Sequence, residues 1–236
     1  MRRILTATIL ALSAITAPVL AQQADGISSL AISRCAGKVG METRQSDAAF
    51  GVIMLDGIPW TTIERTQKQI GSQIIATTAT GTGAWRRHDG AAAPFRFSCV
   101  LDTNGQALMF HTSLIDPLLG DALPPSIRVR GSVTYLQKMA LPRGAELRVQ
   151  LLDIAKTPVG EILAEQVVRS GWAVPIPFAL RLPKDTSLEG RKLAITARLV
   201  EAHQTLFQLK EPRAITGDDL RKSIELTLDK VEATKR

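Results

Sequence analysis

Little in this chain could serve metal or nucleophile chemistry: its 236 residues hold three histidines and two cysteines. No two histidines stand at helical ligand spacing, and neither HExxH nor GxSxG occurs. His88 reads as a turn residue, His111 as the end of a strand and His203 as part of a hairpin, each at the surface. Cys35 and Cys99 lie far from any histidine cluster and lack zinc-ligand spacing. Gly81-Thr82-Gly83 begins like a phosphate loop, but Arg86 occupies the third glycine's place and the stretch has a strand pattern. Asp218-Asp219 has too few oxygen ligands nearby for calcium and reads as a turn or helix N-cap. The chain therefore reads as non-enzymatic, with no catalytic residue, no metal and no cofactor. Long apolar runs are also missing beyond residue 20, so no membrane span is expected. Nothing points to nucleic acid.

What is present begins with an export signal. Met1-Arg2-Arg3 is basic, Ile4 to Leu20 is mostly apolar and uncharged, and Val19-Leu20-Ala21 suits a cleavage site. Residues 1–21 are thus expected to be a signal peptide cleaved near Ala21. A retained anchor is the alternative, but the apolar run is short for a span. Gln22 stands where a lipoprotein needs cysteine, so a soluble periplasmic protein is expected. In an exported chain two cysteines most simply mean one disulfide, Cys35 to Cys99. The chain-entropy argument gives it about 4 kcal/mol. Charge is uneven. Residues 22–120 carry 8 Lys/Arg against 8 Asp/Glu, and residues 121–236 carry 19 against 14. That excess favours an anionic partner or surface, although solubility alone explains it as well.

Ile27, Leu30, Ala31, Cys35 and Val39 recur at helical spacing and predict an amphipathic helix from Gly26 to about Thr43, with Cys35 on its apolar face. Phe50 to Leu55 is an apolar strand. Ile70 to Arg87 is one long strand or two short ones, weakened or bulged at Gly81 and Gly83. A meander follows. His88-Asp89-Gly90 turns, Pro94 to Leu101 is a strand, Asp102-Thr103-Asn104-Gly105 turns again, and Gln106 to His111 returns. Phe95, Phe97 and Cys99 share one face, toward the helix. Residues 22–115 are expected to form a small α+β domain, a helix on an antiparallel sheet.

Prolines punctuate a linker over 116–126. From 127 to 231 the alternation is all strand, about seven strands, and suggests an immunoglobulin-like β-sandwich; 232–236 is a tail. The stretch Gly171 to Pro183, "GWAVPIPFALRLP", alternates like a strand and yet contains Pro175 and Pro177. Residues two apart aim their N–H groups the same way, so the two prolines remove donors from one side only. That fits an edge strand whose open side is blocked. Arg128 and Arg130, with Arg148 if its strand joins their sheet, form a candidate basic interaction surface; a solvated polar face is the plain alternative. Trp60 and Trp172 each follow a turn-like residue and are candidate binding anchors or residues covered by a loop.

The segments "RVRGSVTYLQKMALPRGAELRVQLLD", "AEQVV" and "VPIPFALRLP" resemble, in order, the YbaY/YscW family of envelope lipoproteins. The resemblance runs from Ile127 to about Val231. It implies an immunoglobulin-like sandwich and no catalytic residues. YscW-like members are secretin pilotins, and the family is usually lipid-anchored, whereas this chain has no lipobox cysteine. The expected function is a non-enzymatic periplasmic binding or chaperone-like protein acting on another envelope component, either a protein or an anionic surface. An inhibitor of a cell-wall hydrolase such as a lysozyme, or a pilotin-like factor, is the alternative.

Overall fold

A computed structural model describes residues 29–40, 50–87, 92–137, 139–142, 144–157, 159–170, 174–201 and 204–231. The expected signal peptide, His88 and its turn, Trp172 and His203 lie outside the described residues. Residues 29–40 form a helix, α1, which buries Ala31, Ile32, Cys35, Ala36 and Val39. Leu30, expected on that face, is exposed. The stripe centres on Ile32 and Cys35, and Leu30 sits to one side of it.

The strands are β1 (Phe50–Asp56), β2 (Thr62–Ile70), β3 (Gln73–Arg87), β4 (Ala93–Asp102), β5 (Ala107–Leu114), β6 (Ser126–Tyr135) and β7 (Glu146–Asp153). Then come β8 (Glu161–Ser170), β9 (Ile176–Pro183), β10 (Leu193–Glu201), β11 (Gln204–Gln208), β12 (Arg213–Ala214) and β13 (Ser223–Lys230). They join in the order β5-β4-β3-β1-β8-β7-β10-β11-β13-β6-β9, with β2 on β3 and β12 on β10. Among the described residues only the β13–β6 pair is parallel. The described residues are mostly β, one large, mainly antiparallel sheet with one α-helix.

Apolar patterning explains the layering. Residues 51–56 of β1 are all buried, as a continuous apolar run demands of a strand covered on both faces. Val52 and Met54 pack with Val129, Phe178, Leu180, Val149 and Ile195 in one core. Ile53 and Leu55 pack with Ile32, Cys35, Phe95, Phe97 and Cys99 in the other. The next strand splits likewise: Val168 belongs to the first core and Val167 to the second. Cys35 and Cys99 are bonded, with Cα atoms 6.0 Å apart, so helix and central strand are stapled as expected.

β2 was not foreseen in the sequence, because Thr62 to Ile70 is polar and exposed on both faces. It pairs with β3 through a tight turn at Gly71-Ser72, where Gly71 has φ +61°. The Asp102 to Gly105 turn forms as expected, with the Asp102 carboxylate accepting from the N–H groups of Asn104 and Gln106. β3 runs unbroken past Gly81 and Gly83. These stand opposite Phe97 and Phe95, and a Cβ there would come within 3.0 and 2.8 Å of the rings. The glycines make room for aromatic packing, and the register with β4 shows no bulge at either. Gly131 repeats the device opposite Phe178. At 116–126 the chain forms a short 3-10 turn and a proline run, while the sheet continues across that boundary by β1–β8 pairing.

Candidate functional site

β9 ends the sheet, pairing with β6 alone. Its other side follows from alternation. The N–H of Ala179 donates to Gln166 Oε1 at 2.9 Å and its carbonyl accepts from Gln166 Nε2 at 3.0 Å, both away from β6. Pro177 and Pro183 share that parity and lack N–H groups. The Arg181 carbonyl accepts from Trp60 Nε1 at 2.7 Å. Along its open side, then, β9 is missing donors at two prolines and is capped by one side-chain amide and one indole. The edge expected from sequence is there. Pro175 is a correction: the strand begins at Ile176, so Pro175 precedes it.

Behind this edge is a buried polar cluster. Arg181 Nη1 meets Asp56 Oδ2 at 3.0 Å and Thr82 Oγ1 at 3.1 Å; its Nη2 reaches the Pro124 carbonyl at 3.3 Å. Thr82 donates to Asp56, and Gln166 Nε2 also donates to Asp56 Oδ1. The Arg181 guanidinium lies 4.4 Å from the Trp60 ring centroid. Burial pushes the Asp56 carboxyl up, against the opposing pull of Thr82, Arg181 and Gln166. The sequence reading did not single out Asp56, Gln166 or Arg181. Alternation gives no signal for them: it sets Arg181 opposite the Leu180 and Leu182 face, and only the tertiary approach of Asp56, Thr82 and Trp60 covers it.

Beside the edge runs a groove of about 570 Å³. Ala84, Pro94, Leu123 and Pro177 give it apolar surface, and Arg86, Arg128 and Arg130 also line it. These three arginines are exposed and make no ion pair with any described residue. The acid in the lining, Asp56, is already paired with Arg181. The groove therefore carries net positive charge.

Arg148 is elsewhere. β7 pairs with β8 and β10, not β6, and Ser33 of α1 lies against its Glu146 and Arg148. Arg148 binds Glu146 at 2.8 Å and Ser33 at 2.5 Å, largely buried. Glu165, also beneath the helix, accepts from Ser29 and Gln150; burial pushes its carboxyl up. The solvated face expected for Arg148 is thus taken by a helix, which alternation in β7 could not reveal. Trp60 is half-buried on Arg181. His111 faces Ser98 across β4–β5, beside a shallow polar groove that Arg96, Thr80 and Ser113 also line. Asp219 accepts from the Thr216 N–H and hydroxyl and closes a turn. Among the described residues no His, Cys, Asp or Glu group of three or more could hold a metal, and no helix is long and apolar enough to cross a membrane.

Residues 124–228 match the family described as type III secretion system lipoprotein chaperone (YscW). No curated protein matches the chain. Among solved structures, an alternative pilotin from the type II secretion system of Vibrio cholerae is similar at 22% identity. The alignment covers 46% of this chain and 100% of that one, with a TM-score of 0.42. Strands β6 to β12 and most of β13, including Arg128, Arg130, Gln166 and Arg181, thus lie in a YscW-like segment, residues 124–228, of this chain.

Proposed function

We propose that the protein is a non-enzymatic, periplasmic, chaperone-like protein that binds another component of the cell envelope, of the kind that a secretion apparatus presents. The observation that carries this reading is the match of residues 124–228 to a family of secretion lipoprotein chaperones. The capped edge of β9 and the basic groove beside it agree with a binding surface that recognises through side chains. The client is an envelope protein. The test is capture on immobilised mature protein from periplasmic and detergent-solubilised envelope fractions, read by mass spectrometry. One envelope component should recur across conditions above a tag-only control. Repeated capture with no such component would overturn the reading.

A further inference from the structure

Three features of the groove beside β9 bear on what it can hold. Its cations that make no ion pair with a described residue, Arg86, Arg128 and Arg130, are all arginine, whose planar fork suits bidentate contact with carboxylates. Arg128 and Arg130 stand two residues apart on β6, so their side chains leave the strand about 6.6 Å apart. An extended peptide projects alternate side chains at the same repeat. The wall of the groove is the edge of β9, where Pro177 offers no N–H and Gln166 occupies both backbone groups of Ala179. A strand cannot add to that edge by main-chain pairing, so the occupant must be held by its side chains and by the apolar surface of Ala84, Leu123 and Pro177.

We propose that this groove binds an extended acidic segment of the client polypeptide, with carboxylates at alternate positions on Arg128 and Arg130 and a further one on Arg86, and intervening apolar side chains toward the apolar lining. This deepens the chaperone reading and rests on it for the identity of the client as a polypeptide. Arg86 comes from β3, outside the YscW-like segment, so the site is shared between that segment and the strands before it.

The probe is a fluorescein-labelled peptide of four Asp-Val repeats, titrated by anisotropy against the full mature chain. A Lys-Val peptide of the same length and phosphatidylglycerol vesicles serve as comparisons. The acidic peptide should bind and weaken with salt. The double variant Arg128→Gln/Arg130→Gln should lose on the order of tenfold in affinity, and Arg86→Gln less, while exposed Lys210→Gln should change nothing. Circular dichroism melting of each variant shows that the fold persists. Equal loss with Lys210→Gln, no binding of the acidic peptide, or arginine-dependent binding of vesicles but not peptide would each overturn the proposal. The two readings separate in the capture experiment. A client retained equally by the double variant overturns the groove and leaves the chaperone reading standing. Arginine-dependent peptide binding with no captured client does the reverse.

Discussion

Gln166 joins a strand edge to a buried charge. Its amide satisfies the Ala179 N–H and carbonyl and also donates to Asp56. Gln166→Ala leaves those groups without their partner, and a loss of about 2–4 kcal/mol in urea denaturation is expected. Gly131→Ala should be of similar size, because its Cβ would meet the Ile224 carbonyl and come within 2.5 Å of the Phe178 ring. The carboxyls divide by sign. Asp56 and Glu165 are pushed up by burial, so the stability they contribute is present at low pH and is lost as pH rises through their folded values. Asp153 is held down, first by the Ala155 N–H and then by the Lys192 N–H and Arg191. Its contribution is present above the ordinary aspartate value of about 3.9 and is lost as pH falls through its folded value. Urea midpoints across pH should therefore peak on the acid side of neutrality, and Asp56→Asn should flatten the fall on the alkaline side.

β9 shows how an element can be an edge without offering pairing. Restoring one donor with Pro177→Thr still leaves Gln166 across Ala179, so that variant should stay monomeric by analytical ultracentrifugation. Pro177→Thr combined with Gln166→Ala frees adjacent same-parity positions and should self-associate with rising concentration. A monomeric double variant at high concentration would remove edge protection as the role of these residues. At the far end of the sheet, β5 also pairs on one side only, and it keeps its hydrogen-bonding groups: it has no proline and no Asp, Glu, Lys or Arg.

Cohesion across the chain comes from sharing. β1 gives alternate side chains to two cores, β8 does the same, and Asp56 on β1 pairs with Arg181 on β9. β1, before 116–126, thus pairs with β8, after it, and we expect calorimetry to give one coupled transition. Cys99→Ser opens a link spanning 64 residues and should lower stability by about 4 kcal/mol. Hydrogen exchange should then rise in β4 and also in β1 and β8. Exchange confined to β4 and the helix would mean that the shared strands do not couple the two cores.

Local pattern was enough to read the helix, nearly all the long strands, the pairing of Cys35 with Cys99 and the one-sided edge at Pro177, because alternation, helical spacing and missing N–H groups are properties of a few adjacent residues. The YscW-like motifs were legible for the same reason. Neighbourhood was not. Arg148 alternates outward as Arg128 does, yet one lies under a helix against Glu146 and the other lines an open groove. Gln166 reads as an ordinary polar residue until β9 is beside it. A strand has two faces and two edges, and what each one meets depends on residues far away in the chain. Only the tertiary pairing of β1 with β8, and the approach of Trp60, Asp56 and Gln166 to β9, decided where burial ends and a charged surface begins.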